Sequence, residues 1–151
     1  MKICYCSSSG GHLEELMCLM PLINMTEGFL VTEKMDVEMD LPWKKIYRTQ
    51  QINRKEKWFF VRFVKLIIFS SKIILCEKPD IIISTGALVT VPLCVLGKLF
   101  RKKLIFIESF ARVNKPSLSG KLIYPFADLF MIQWETLKKY YPKAIYVGGI
   151  F

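Results

Sequence analysis

Short, strongly apolar runs alternate along the chain with longer segments in which apolar residues recur every three to four positions. Lys2 to Cys6 predicts a buried strand, Ser7 to His12 a loop, and Leu13 to Ile23 a helix with Leu13, Leu16, Met17 and Met20 on one face. Gly28 to Thr32 and Lys45 to Thr49 read as short strands, followed from about Lys57 to Glu77 by a long apolar-rich helix that stops before Pro79. Asp80 to Ser84 reads as a central strand, Thr85-Gly86-Ala87 as a second tight loop, Leu88 to Phe100 as a helix and Leu104 to Glu108 as a strand. Ser117 to Phe126 predicts a helix, and Leu129 to Gln133, Glu135 to Tyr141 and Ala144 to Val147 complete the alternation. Strands separated by crossover helices imply a doubly wound α/β parallel sheet. No repeat or linker divides the sequence, so residues 1–151 are expected to form one domain.

Charge adds an asymmetry. Residues 1–43 carry −5, residues 44–78 carry +8 and residues 79–151 carry +6, for a net charge of +9. Hydrophobic residues make up 52% and aromatics 13%, rich enough to reserve apolar surface for a partner or a bilayer. Basic residues interleaved with Trp and Phe suit anionic lipid or nucleic acid, but no helix-turn-helix, RNP or zinc pattern is present, so no nucleic acid is expected. Five cysteines without C-x-x-C spacing indicate a reducing compartment. The short apolar start before the Ser/Gly run is no signal peptide, which places the protein on the cytoplasmic side.

Two loops carry candidate chemistry. In Ser8-Ser9-Gly10-Gly11-His12, glycines between a strand and a helix let the backbone approach an anion, and the helix start offers unpaired N–H groups. The same turn also serves packing, and the spacing alone leaves both open. His12, the sole histidine, stands where an imidazole can act as a general base, or merely cap or pack. The loop at Thr85, Gly86 and Ala87 should face the same end of the sheet, so that together the two could hold a diphosphate. Glu108, ending an apolar strand, would border that cleft or brace a loop.

The helix beginning at Trp58, Phe59, Arg62, Phe63 and Lys65 places Arg62, Lys65 and Lys72 within about 80° of one another. Each cation would cost about 2.5–3.5 kcal/mol at a bilayer centre, which argues against a span. One face in the core and another in the membrane interface fits better; a wholly buried crossover helix with snorkelling lysines is the alternative. Leu96, Phe100, Arg101 and Lys102 belong to a second apolar-basic patch. The acidic stretch Asp36 to Asp40 resembles a metal-binding motif of some glycosyltransferases but precedes any long strand; it reads as a solvated loop, and no metal or cofactor is expected.

Ser9-Gly10-Gly11-His12-Leu13, the run Lys78 to Ala87, Ile107-Glu108-Ser109 and Val147-Gly148-Gly149-Ile150 together resemble the Rossmann-like N-terminal (acceptor) domain of GT-B glycosyltransferases of the MurG type. The resemblance is nearest to the PssD and CpsF subunits of bacterial exopolysaccharide and capsule synthesis, which are similar to the membrane-anchoring subunit of the eukaryotic dolichol-linked GlcNAc transferase. The chain departs from MurG in having a single glycine in the second loop. The resemblance implies a subunit of an inverting glycosyltransferase at the cytoplasmic face of the cell membrane, attached peripherally or monotopically. It would bind a polyprenyl-diphosphate-linked sugar, while a second subunit carries the UDP-sugar site and is required for activity. Ser9, Gly10, Gly11, Thr85, Gly86 and Ala87 would embrace the acceptor diphosphate, His12 would be the base, and Glu108 would shape the site. A non-catalytic membrane adaptor and a stand-alone nucleotide-sugar-binding enzyme are the rival readings.

Overall fold

In the computed structural model, which describes residues 1–35, 40–52 and 56–150, seven strands form one sheet in which every pair is parallel. They are β1 (Lys2–Ser7), β2 (Glu27–Glu33), β3 (Ile46–Thr49), β4 (Ile81–Gly86), β5 (Lys103–Ile107), β6 (Leu129–Ile132) and β7 (Ile145–Tyr146), in the order β3-β2-β1-β4-β5-β6-β7. The acidic segment singled out above lies, apart from Asp40, outside the described residues.

Alternation along β1 sorts the core into two layers. Ile3 and Tyr5 face α1 (Gly11–Met17) and α2 (Met20–Met25), where they meet Leu13, Leu16 and Ile23. Cys4 and Cys6 face the opposite layer of α3 (Phe59–Glu77), α4 (Val91–Leu99) and α5 (Leu118–Ile123), among Ile73, Ile74, Leu93, Cys94 and Ile123. The single helix predicted over Leu13 to Ile23 is thus two, because Pro21 in the first turn of α2 has no N–H to continue α1. Likewise the helix predicted from Leu88 opens as a 3-10 turn (Leu88–Thr90) before Pro92 enters α4. The segment from Glu135 is a 3-10 turn ending at Lys139.

α3 ends where expected, with Lys78 in the left-handed region (φ 47°) just before Pro79. Its last residue, buried Glu77, ties the helix to the amino-terminal end of the sheet: Lys2 Nζ donates to it at 2.6 Å, Lys45 Nζ at 2.5 Å, and the Tyr47 hydroxyl also donates. These donors, Lys2 foremost, hold its carboxyl down at about 2.

Candidate functional site at the crevice between β1 and β4

After β1 the chain turns toward β2, and after β4 it turns toward β5, so strand order reverses between these two neighbours. Their following helices lie on opposite faces, which opens a crevice at the carboxyl ends of the strands, the place where ligands of open α/β sheets bind. Both predicted loops meet there. The Ser8 N–H donates to Gly86 O at 3.0 Å, joining one to the other.

His12, the second residue of α1, is half-buried and clasped to the end of β4 by a reciprocal pair of hydrogen bonds. Its Nδ1 lies 2.8 Å from Thr85 O, and the Thr85 hydroxyl donates to His12 O at 2.7 Å. A carbonyl oxygen only accepts, so Nδ1 carries the proton and the lone pair of the neutral ring resides on Nε2. Gly86, at φ +103°, lets β4 pass the ring: a Cβ there would stand 3.2 Å from His12 Cε1 and 3.6 Å from Ser119 Oγ. Thr85 and Gly86 belong to the strand itself and not to a separate loop, and the Gly86 N–H is taken by Ser84 Oγ at 3.1 Å.

The first loop divides into an anchored half and an open half. Both the N–H and the hydroxyl of Ser9 lie 3.4 Å from the Glu33 carboxylate at the end of β2, so Ser9 points into the protein framework and not freely into the crevice. Gly10 and Gly11 are exposed, and a Cβ at either would meet nothing within 4 Å. Gly10 is required by its φ of +74°, and its carbonyl receives the N–H groups of Leu13 and Glu14. Gly11 adopts no such conformation, so nothing among the described residues demands glycine there.

Of the two places open to Glu108, beside the cleft or bracing a loop, its geometry is that of the second. Only 1% exposed, it turns inward, where its carboxylate receives the Ser109 N–H (3.1 Å), the Ser117 N–H (3.1 Å) and the Tyr141 hydroxyl (2.8 Å). Burial and the neighbouring Glu108 charge push the Tyr141 phenol well above its ordinary range, keeping it a donor. Gly120 makes the approach possible, because a Cβ there would lie 2.1 Å from the carboxylate. Glu108 is therefore a brace for the start of α5, whose Ser117 caps the helix by accepting from the Gly120 N–H at 2.8 Å.

Sequence reasoning missed Glu15 and Gln133. Buried Glu15 on α1 receives Ser109 Oγ at 2.8 Å, the Phe110 N–H at 3.0 Å and Gln133 Nε2 at 3.3 Å. Burial raises its pKa, an effect these donors and the nearby His12 oppose. Gln133 also donates to Glu108 O and accepts from the Ile150 N–H, so α1, the loop after β5 and the C-terminal segment are pinned together under the crevice.

The residues expected to face a membrane lie on the α3–α4 layer, at its two ends. Trp58, at the start of α3, is 70% exposed, Lys65 is exposed, and Phe59, Arg62 and Phe63 are half-buried. The Phe59 and Phe63 rings stack at 5.7 Å. Leu96 joins Phe63, Ile67, Val91, Pro92 and Val95 around an apolar groove of about 210 Å³ between the helices. Phe100, Arg101 and Lys102 lie at the other end, where Lys103 begins β5 opposite Ile81. Between the two ends α3 is not wholly buried: Phe60, Val61, Val64, Ile68 and Leu75 are all exposed. Among the described residues no helix is long and apolar enough to cross a membrane.

Known structures share this fold. The chain superposes on MurG of Acinetobacter baumannii with a TM-score of 0.74 at 13% identity, covering 90% of this chain and 43% of that one. It superposes on UDP-N-acetylglucosamine 2-epimerase of Rickettsia bellii with a TM-score of 0.75 at 13% identity, covering 99% and 45%. In sequence it is 39% identical over 114 residues to UDP-N-acetylglucosamine transferase subunit ALG14 of Rattus norvegicus, covering 70% of this chain and 52% of that protein. The subunit of the same name from Mus musculus is 30% identical over 183 aligned positions, covering 99% of this chain and 83% of that protein. A family model described as "Oligosaccharide biosynthesis protein Alg14 like" matches residues 25–150, most of the chain, and the chain belongs to that family.

Proposed function

We propose that this chain is the acceptor-binding, membrane-associating subunit of a two-component inverting glycosyltransferase, with the UDP-sugar site on a second polypeptide. The observation that carries this reading is the His12–Thr85 clasp at the β1–β4 crevice, in which Nδ1 bears the proton and the ring lone pair is on Nε2. The relatives' description as subunits of a UDP-N-acetylglucosamine transferase supports the donor class and the need for a partner.

In this reading the acceptor is a sugar on a polyprenyl diphosphate, as in capsule or exopolysaccharide assembly at the cytoplasmic face of the cell membrane. Gly10 and Gly11 receive the diphosphate together with the backbone at Ala87, while Ser9, Thr85 and Gly86 hold the two loops in place. His12 Nε2 takes the proton of the acceptor hydroxyl as its oxygen bonds to the anomeric carbon. The bond from that carbon to UDP breaks on the opposite side, UDP leaves with the electron pair, and the configuration inverts. Glu108 acts as a positioning residue. The α3–α4 layer lies along the bilayer, with Trp58, Phe59, Phe63, Leu96 and Phe100 toward the acyl boundary and Arg62, Lys65, Arg101 and Lys102 toward headgroups.

Gly11→Ala tests the loop assignment without disturbing the fold. Its position in the first turn of α1 is open, so stability should stay within about 1 kcal/mol of wild type or rise slightly. A methyl group in the path of the diphosphate should raise the acceptor KM of the reconstituted enzyme by roughly tenfold, about 1.4 kcal/mol. An unchanged KM would remove the loop from the acceptor site.

A further inference from the structure

At the outer edge of the sheet, on the same end as the crevice, Lys34, Arg48, Thr49, Gln50, Ile52, Arg62, Lys65, Leu66 and Phe69 surround a pocket of about 370 Å³. Its makers come from three places: Lys34 follows β2, Arg48 and Thr49 end β3, and Arg62 to Phe69 are the first turns of α3. The Lys34 N–H donates to Thr49 O at 2.8 Å, which fixes the two strand ends side by side. Arg62 is paired with Glu56, whereas Lys34, Arg48 and Lys65 form no ion pair among the described residues. Elsewhere Lys2 and Lys45 share Glu77, and Lys98 and Lys103 share Asp128.

Three cations around one cavity, with no ion pair among the described residues, repel each other unless an anion sits between them. The floor is a different matter, since Ile52, Leu66 and Phe69 are apolar and Leu66 is buried. A free inorganic anion would match the rim and waste the floor, whereas a phosphate ester carrying hydrocarbon satisfies both. Exposed Trp58 and Phe60 stand at the start of the same helix, where aromatic side chains suit a membrane interface.

We infer that this pocket binds the headgroup phosphate of an anionic phospholipid, seating the first turns of α3 at the bilayer surface. The inference rests on the membrane contact proposed above and adds a discrete site to it, with Lys34 and Arg48 as ligands. Arg48 supplies a planar fork for phosphate oxygens, and Lys34 and Lys65 supply point charges.

The test is co-sedimentation of the purified full chain with phosphatidylcholine vesicles, with and without added phosphatidylglycerol. Lys34→Ala/Arg48→Ala is compared with Lys121→Ala/Lys143→Ala, which removes equal charge from exposed sites remote from the pocket. At about 1 kcal/mol per cation near an anionic surface, the pocket variant should lose roughly 25-fold in partition to the anionic vesicles, and the control less than about threefold. Equal losses in both variants, or none in either, would overturn the pocket while leaving membrane association standing. Thermal protection of wild type, but not of the pocket variant, by inorganic pyrophosphate with no vesicle difference would assign the site to a soluble phosphate and overturn the lipid source. No wild-type binding to either vesicle would overturn the membrane reading itself, and this site with it.

Discussion

His12→Ala should lower kcat of the reconstituted transferase by about 10²- to 10⁴-fold, the usual contribution of a positioned general base, with the acceptor KM nearly unchanged. The separation of the two constants is the informative part. His12 is half-buried, and the substitution removes one hydrogen bond to a backbone carbonyl at the mouth of the crevice, a loss of about 1 kcal/mol. Thr85 still donates to His12 O, because that contact is to the backbone, so the two loops stay joined. Stability is then close to wild type while the proton acceptor is gone. Measuring kcat, KM and the unfolding midpoint on one preparation distinguishes a base from a packing residue: unchanged kcat would end the catalytic assignment, and a loss of activity matched by a loss of folding would make His12 structural.

Glu108→Ala should do the reverse, with its main effect on stability. The carboxylate is almost fully buried and accepts from Ser109 N, Ser117 N and Tyr141 Oη. Truncation leaves three buried donors without an acceptor, a destabilisation of about 3 kcal/mol or more. That is a large part of the roughly 5–15 kcal/mol that holds a domain of this size together. Urea unfolding should show the midpoint falling, with Glu108→Gln intermediate, because one carboxamide oxygen accepts while its NH₂ faces donors. A variant of wild-type stability that had lost kcat would restore Glu108 to the chemistry.

The contrast between these two residues shows what the sequence made legible. The doubly wound parallel sheet could be read because its central strands are unbroken apolar runs, such as Ile81-Ile82-Ile83 and Leu104-Ile105-Phe106-Ile107, punctuated by Pro79 and by glycine loops. His12 could be read for the same local reason, as it follows two glycines at the start of a helix. Its partner Thr85 also stands beside a glycine at a strand end, but the bond between them spans 73 positions and only the fold sets the tautomer. The place of Glu108 follows from its position at a strand end, whereas its direction is decided by Tyr141 and by the closeness that Gly120 allows. Glu15 and Gln133 gave no local signal, because their contacts lie 94 and 118 positions apart along the chain. The helix breaks near Pro21 and Pro92 were open to sequence reasoning, since a proline cannot donate to the preceding turn, and periodicity alone overrode that signal. The basic pocket was hidden because Lys34 and Arg48 come from separate strand ends that meet only in the sheet.

The most direct test of the two-component reading is glycosyl transfer from a panel of radiolabelled UDP-sugars to lipid-linked acceptor, in membranes holding this chain with and without the proposed second subunit. Transfer only when both are present, and from one donor of the panel, is the predicted result. Equal transfer by this chain alone would contradict it and require a donor site within these residues.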